Sequence, residues 1–198
     1  MIRIAVILGS TRPGRRGATV AEWVRQAANR HKGIESGAAG VEVVDLADFG
    51  LPLLDEPVPA IFGEYSHAHT QRWAATIGSY DGFIFVTPEY NHAVPAALKN
   101  AIDFLFAEWN NKAAGFVSYG VHGGTRAVEQ LRLAMAELGV ADVRSQVALS
   151  VFTDFQSAEQ DITDPGVCVP AGHHESTLHE LLDELIAWSA ALKPLRAA

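Results

Sequence analysis

The chain has 198 residues, of which 48% are hydrophobic and 19% are charged, and its formal net charge is −8. This composition is typical of a globular α/β protein, and the negative charge argues against a nucleic-acid-binding surface. The single cysteine, Cys168, excludes an internal disulfide and a multi-cysteine metal site. The length suits one domain over residues 1–198. Because the sequence contains no run of 18 apolar residues and no cleavable signal pattern, we expect the protein to be located in the cytoplasm and without a membrane partner.

The first predicted strand, Ile4 to Leu8, ends at Gly9 and suits a strand buried on both faces of a parallel sheet. The loop after it is rich in glycine, hydroxyl and arginine side chains, and it leads into a helical pattern near Ala18. Backbone amides next to glycines, the positive end of a helix and clustered guanidinium groups all favour a phosphate ligand. The residues that offer these groups are Ser10, Thr11, Arg12, Gly14, Arg15, Arg16 and Gly17.

Two better-known phosphate loops do not match this segment. In a P-loop the second glycine is followed by Lys and Ser/Thr, whereas two arginines follow Gly14 here. In a dinucleotide fingerprint the first two glycines are closer together than Gly9 and Gly14, and an acidic residue comes sooner than Asp45 does. A loop for a single phosphate remains, as in folds that hold a mononucleotide; a tight strand-to-helix turn with solvated arginines is the alternative.

The rest of the chain alternates between helical and strand patterns. We predict a helix over Gly17–Lys32, a strand over Val41–Leu46, an irregular proline-rich segment over Ala47–Ser66, a helix over His67–Ser79, a strand over Gly82–Thr87, a helix from Pro95, strands over Ala114–Tyr119 and Val143–Leu149 separated by a helix, and a last helix from about Ser176. With right-handed crossovers this order predicts a flavodoxin-like α/β fold, a five-stranded parallel sheet of order 2-1-3-4-5 with helices on both faces.

Two regions are predicted to face a ligand or a partner. We expect the irregular segment Ala47–Ser66 to pack near the ligand or a second subunit, and the long stretch Phe152–Glu175 to serve as a lid, a binding loop or a partner contact. Phe104 and Trp109 fall off the apolar face of the helix that starts at Pro95. Because the sheet would not cover them, we predict that they contribute to a subunit interface.

Three segments at predicted strand ends resemble the NAD(P)H-dependent FMN reductase family when they are taken together. They are Gly9-Ser-Thr-Arg-Pro-Gly-Arg15, Pro88-Glu-Tyr-Asn91 with the following Pro95-x-x-Leu-Lys-Asn-Ala-Ile-Asp103, and Tyr119-Gly-x-x-Gly-Gly124. The resemblance implies non-covalent FMN, NADPH or NADH as electron donor, a homodimer or homotetramer, and two-electron reduction of a small-molecule acceptor such as a flavin, quinone, azo dye or metal oxyanion.

The resemblance also implies roles for individual residues. Ser10 and Arg12 would hold the FMN phosphate. The ring and the ribityl chain would be bordered by Pro88, Glu89, Tyr90 and Asn91, and the other edge of the ring by Ser118, Gly120, Gly123 and Gly124. Family members often carry a Ser, an aromatic residue and an Asn where this chain has Arg15, Arg16 and Gly17. These three either complete the phosphate site or place an arginine against the 2′-phosphate of NADPH.

A flavin needs main-chain donors at its pyrimidine edge, and we expect the amides of Glu89, Tyr90 and Asn91 to supply them. No side-chain acid or base is required, so no catalytic residue is predicted. The leading hypothesis is an FMN-dependent oxidoreductase that takes hydride from NAD(P)H; a non-enzymatic electron carrier or redox-responsive FMN protein is the alternative. No metal is predicted, because the histidines near the last helix lack ligands at suitable spacing, and Cys168 is predicted to be an inert thiol.

Overall fold

The computed structural model describes residues 1–156 and 163–196. A parallel sheet of five strands, in the order β2-β1-β3-β4-β5, forms its centre, which confirms the predicted flavodoxin-like topology. The strands are β1 (Ile2–Leu8), β2 (Ala39–Asp45), β3 (Gly82–Pro88), β4 (Ala113–Gly120) and β5 (Ala141–Ser150). A separate antiparallel ribbon pairs β6 (Phe155–Gln156) with β7 (Val167–Cys168).

Helices cover both faces of the sheet. They are α1 (Gly17–Asn29), α2 (Lys32–Glu35), α3 (Ala68–Gly78), α4 (Ala96–Asp103), α5 (Thr125–Glu137) and α6 (Gly172–Leu192). Alternate residues of β1 divide between two hydrophobic clusters: Ile4 and Val6 pack with α1 and α6, and Ala5 and Ile7 pack with α3, α4 and α5. This period of two is what a strand buried on both faces requires.

Phe104 and Trp109 do not form an exposed patch, so the prediction that they contribute to a subunit interface is wrong. Both are fully buried, and the Trp109 ring lies 4.9 Å from the ring of Phe83. The helix ends at Asp103, and the chain then turns back toward the sheet. The prediction extends this helix through Phe104 and Trp109 and therefore places their buried side chains on an exposed face.

Other boundaries differ from the predicted ones by a few residues. The first helix ends at Asn29 and a short α2 follows, and α6 begins at Gly172 rather than near Ser176. The segment 47–66 has no strand or α-helix, as predicted, but it contains the end of a 3-10 helix over Leu46–Phe49 and a 3-10 turn over Ala60–Phe62. Asn100 of α4 binds this segment through two hydrogen bonds. Its side-chain nitrogen donates to the Pro52 carbonyl (2.7 Å), and its side-chain oxygen accepts the Leu54 N–H (2.9 Å).

Charged groups link distant segments of the chain at the amino edge of the sheet, where the parallel strands begin. The carboxylate of Asp81, just before β3, accepts hydrogen bonds from the Arg3 N–H and the Lys193 Nζ, both at 2.9 Å, and forms an ion pair with Arg196. Burial raises the pKa of Asp81, but these hydrogen bonds lower it by more, so the pKa lies below its ordinary value. None of the helices in the described part of the chain is long and apolar enough to cross a membrane.

Candidate functional site

The loops after β1, β3 and β4 meet at the carboxyl edge of the sheet and enclose a cavity of about 220 Å³. In open parallel sheets, ligands bind at this edge, beside the strand where the order reverses. Six of the predicted site residues line the cavity, together with three that were not predicted. The nine are Arg12, Arg16, Pro88, Glu89, Tyr90, Tyr119, Gly120, Val121 and Val151.

The Ser10 and Tyr90 hydroxyls join the first loop to the second. Ser10 is fully buried, and its Oγ lies 3.2 Å from the Tyr90 hydroxyl oxygen. Gly9 permits the first loop to pack closely on α4, the helix that follows the second loop, because a Cβ there would lie 2.8 Å from the Leu98 side chain. The two predicted binding segments are therefore neighbours, as their positions at adjacent strand ends require.

The three arginines of the first loop have three different surroundings. The Arg12 side chain is exposed and forms no ion pair in the described part of the chain. Arg15 pairs with Asp45 at the end of β2, and its buried Nε has no hydrogen-bond partner among residues 1–156 and 163–196. Arg16 donates to the Pro165 carbonyl (3.1 Å). Arg12 and Arg16 line the cavity, whereas Arg15 lies beside it.

Tyr119 is a site residue that the sequence analysis did not identify. Its hydroxyl lies against Gly17 at the start of α1, where a Cβ would be 2.7 Å from that oxygen. Burial and the nearby Tyr90 raise the pKa of Tyr119, although Arg12 and Arg15 act in the opposite direction. The hydroxyl therefore stays protonated at neutral pH and can act as a donor toward the cavity.

The second loop is a tight hairpin. Tyr90 and Ala93 exchange both backbone hydrogen bonds, at 2.9 and 3.0 Å, and the two residues between them have positive φ angles of 50° (Asn91) and 67° (His92). This is the geometry of a type I′ turn, which asparagine tolerates better than most residues. The Tyr90 amide is used inside the hairpin, so the expectation that it donates to a ligand is wrong.

Glu89 joins the second loop to the start of α5. Its carboxylate accepts the Arg126 backbone N–H (3.1 Å) and the Arg126 side-chain Nε (2.7 Å). The other guanidinium nitrogens contact ring nitrogens of His92 (2.8 Å) and His122 (3.3 Å). Because arginine only donates, both imidazole nitrogens act as acceptors here.

Ser118 lies under the third loop rather than in the cavity, which corrects its predicted place at the ring edge. It is fully buried, and its hydroxyl donates to the Gly123 carbonyl (2.6 Å). Gly124 has a φ of +70°, and a Cβ there would lie 2.9 Å from the Tyr119 carbonyl oxygen. Ser118 thus holds in place a loop that only glycine can follow.

Cys168 and the histidines of the last helix, His173, His174 and His179, do not line the cavity. Burial and the adjacent Asp154 raise the pKa of Cys168 to about 12, which agrees with an inert thiol. In the described ranges, no three metal-ligating side chains are grouped as a metal site. Of the stretch 152–175, residues 157–162 lie outside the described part, and the predicted lid role cannot be placed on them; Val151, just before it, lines the cavity.

A family model described as NADPH-dependent FMN reductase matches residues 2–154. An NAD(P)H-dependent FMN reductase from a Nectria species is 40% identical over 169 residues, which cover 81% of this chain and 82% of that protein. A quinone reductase from Escherichia coli K12 is 34% identical over 138 residues, which cover 66% and 68%. Among solved structures, the flavoenzyme FerB from Paracoccus denitrificans, an NAD(P)H:(acceptor) oxidoreductase, has the same fold, with a TM-score of 0.70 and 20% identity over 96% of this chain and 98% of that chain.

Proposed function

The chain belongs to the NADPH-dependent FMN reductase family, and from this premise we propose that residues 1–198 act as a single FMN-binding domain whose ligand lies in the cavity between the three loops. The protein is an oxidoreductase that uses NAD(P)H to reduce a flavin or quinone. The observation that carries the proposed site is the cavity at the carboxyl edge, which is lined by Arg12, a cation without an ion pair among the described residues, and by the buried Tyr119.

The residues present fit FMN in three respects. Arg15 lies in the loop between the lining residues Arg12 and Arg16, its buried Nε has no partner among the described residues, and a buried donor of this kind favours a ligand oxygen. The exposed Arg12 guanidinium and the N-terminus of α1 suit a phosphate group. The third loop contributes Gly120 to the cavity wall, and a residue without a side chain leaves room there for a flat ring.

When bound, FMN supplies two-electron chemistry: the hydride of NAD(P)H, together with one proton from solvent, converts a quinone to a hydroquinone and leaves NAD(P)⁺. The side chains orient and exclude water rather than react. Ser10, Arg12 and Arg15 hold the phosphate, and Tyr119 closes the inner wall of the cavity. Pro88, Glu89, Tyr90 and Gly120 border the ring, with Ser118, Gly123 and Gly124 shaping that border from below.

Arg16 is our candidate for steering the donor. Arg16 lines the cavity, and its guanidinium donates a hydrogen bond to the Pro165 carbonyl. Its positive charge is therefore held at the cavity in a protein whose net charge is −8. A local positive potential attracts an anionic nicotinamide dinucleotide and raises its rate of association. Flavins and quinones are the acceptor classes that relatives support.

A homodimer or homotetramer and a cytoplasmic location also belong to the proposal. The segment 47–66, which α4 holds in place, exposes Leu53 (82%) and the consecutive pair Ile61 (61%) and Phe62 (68%), and several exposed apolar side chains in one segment favour a second subunit. Light scattering of the purified protein at micromolar concentration tests the oligomer; a monomer would contradict it. Fractionation of the source cells tests the location.

Anaerobic stopped flow tests the function directly. We expect purified protein to be yellow and its flavin absorbance to bleach rapidly when NADPH or NADH is added. Arg16→Gln should slow the association-dependent part of the bleaching while the limiting rate at saturating donor is unchanged. A bound flavin that neither nucleotide bleaches would instead indicate an electron carrier, and the search would turn to a protein partner.

A further inference from the structure

Glu89 brings a negative charge into the wall of the proposed flavin cavity. Its side chain is only 8% exposed and lines that cavity. Burial raises the pKa of Glu89, but hydrogen bonds from the Arg126 side chain and from the backbone N–H groups at the start of α5 lower it by more, so the pKa lies below its ordinary value. Glu89 is therefore ionised at neutral pH, and it caps a helix whose N-terminus would otherwise be positive.

The matching positive charge lies farther from the ligand. Arg126 forms the ion pair with Glu89 but does not line the cavity, and 42% of its side chain is exposed. Two imidazoles, those of His92 and His122, hold its remaining nitrogens. The pair is thus asymmetric: a ligand in the cavity meets the carboxylate before it meets the guanidinium.

We propose that this pair sets the reduction potential of the bound flavin, with Glu89 lowering it and Arg126 raising it. The inference rests on the proposed function, namely that FMN occupies this cavity. Taking up two electrons and one proton adds one negative charge to a flavin, so a nearby carboxylate disfavours the reduced form and a nearby guanidinium favours it. Charge near the ring is one of the means by which a protein tunes a flavin, and its effect is larger in a site that excludes water.

The test is the midpoint potential of the FMN-loaded protein at pH 7.5, measured by equilibration with a reference dye. For Glu89→Gln we expect the ratio of reduced to oxidised flavin at a fixed potential to rise about tenfold, which is a shift of about +30 mV for a two-electron couple. For Arg126→Gln we expect a smaller shift in the opposite direction. The double variant should lie between the two single variants and close to wild type.

Two further variants separate tuning from mere support of the loops. Arg132→Gln removes an arginine from the same helix, but one that pairs with Asp142 away from the cavity, and should leave the potential unchanged. Arg126→Lys keeps the charge and should stay near wild type. FMN affinity, measured by titrating apo-protein, reports any loosening of the site separately from the potential.

Opposite shifts in the two single variants support the inference. Shifts in the same direction, or shifts no larger than that of Arg132→Gln, overturn it and leave the pair with a purely structural role. If Glu89→Gln does not fold, Arg126→Gln compared with Arg126→Lys decides: a lower potential in the first supports the inference, and equal potentials overturn it. Wild-type protein that binds no FMN, or whose FMN is not reduced by NAD(P)H, overturns the proposed function instead.

Discussion

The two edges of the sheet use charge in opposite ways. At the amino edge, the Asp81 carboxylate accepts three donors, one from β1 and two from the segment after α6, and Lys112 donates to the carbonyls that end α3. At the carboxyl edge, Arg12 forms no ion pair among the described residues and Arg15 keeps a buried nitrogen without a partner. The charged groups of one edge find acceptors within the chain and serve stability, whereas the other edge leaves charged donors for a ligand. The buried Ser189 hydroxyl beside Gly82 is an amino-edge group without a partner among the described residues.

Because the two edges share strands but not polar partners, substitutions at one should leave the property of the other unchanged. Substitutions at the amino edge should change the free energy of unfolding but not FMN affinity. Substitutions at the carboxyl edge should do the reverse. If a substitution at either edge changes both the free energy of unfolding and the FMN affinity, this division of roles between the edges is wrong.

The largest effect is expected for Asp81→Ala. Removing the carboxylate leaves Lys193, Arg196 and the Arg3 N–H without their common acceptor, which should cost about 3 kcal/mol of unfolding free energy at pH 7. Because the pKa of Asp81 is lowered in the folded state, this stabilisation is present above the ordinary Asp pKa and is lost as the pH falls below about 4. Urea unfolding at pH 7 and pH 3 measures both.

Asp103→Ala is the matched control for that prediction. Its carboxylate pairs with Lys99 on the same helix, and both side chains are about half exposed. An exposed pair contributes little, so the loss should be within about 0.5 kcal/mol. Equal losses in the two variants, or a weaker FMN affinity in Asp81→Ala, would contradict the assignment of the amino edge to stability.

Arg12→Gln should give the largest effect at the carboxyl edge. Losing one charge-assisted phosphate contact should cost about 2 kcal/mol of binding, or a roughly thirtyfold rise in the Kd for FMN. Riboflavin lacks the phosphate, so its Kd should not change, and the unfolding free energy should move by less than about 0.5 kcal/mol. Fluorescence titration of apo-protein with both ligands measures the difference.

Arg25→Gln serves as its control, since Arg25 is an exposed α1 residue that pairs with Glu22. It should alter the Kd of neither ligand. If Arg12→Gln weakened riboflavin as much as FMN, Arg12 would be shaping the loop rather than holding the phosphate.

Lys112 offers an intermediate effect through pH. It is 2% exposed, and burial together with the nearby Arg196 lowers its pKa to about 8. The folded state therefore disfavours the ammonium; this cost is fully present below pH 8 and disappears as the pH rises from 8 to 10.5. Relative to Lys112→Met, wild type should gain about 1.4 kcal/mol of unfolding free energy between pH 7 and pH 9.

Urea unfolding of both proteins at the two pH values gives this difference. The same comparison for Lys99→Met, an exposed lysine on α4, should show no such change. If the difference in unfolding free energy between wild type and Lys112→Met does not vary with pH, the folded state does not disfavour the ammonium. The FMN affinity of Lys112→Met should equal that of wild type.

Much of the fold could be predicted because its causes are local. Apolar runs that stop at glycine, followed by helical patterns, define the strands, and the right-handed crossover rule then orders them. The amino-edge network could not be predicted, because Asp81 lies 112 and 115 residues from Lys193 and Arg196 and an isolated charge carries no pairing signal. Trp109 was placed wrongly for the opposite reason: a local helical pattern was continued beyond the end of the helix.

The candidate site shows the same division. The segments were predictable, because strand ends fix where loops gather, and six predicted residues line the cavity. The individual roles were not. Ser118 and Tyr119 are adjacent in β4 and therefore point to opposite faces, yet only the backbone shows that the tyrosine faces the cavity. Glu89 was expected at the ring, but nothing in its neighbourhood in sequence indicates that it caps α5.

The smallest predicted effect concerns the contact between Ser10 and Tyr90. Tyr90→Phe removes a hydroxyl that is partly exposed, so the Kd for FMN should rise only two- to threefold, or about 0.5 kcal/mol. Ser10→Ala should cost more, since Ser10 is fully buried and is proposed to contact the phosphate directly. In a double-mutant cycle the two losses should not add, because the second substitution removes a contact already broken by the first. Strict additivity would mean that the two loops hold the ligand independently and that the Ser10–Tyr90 contact contributes nothing to FMN binding.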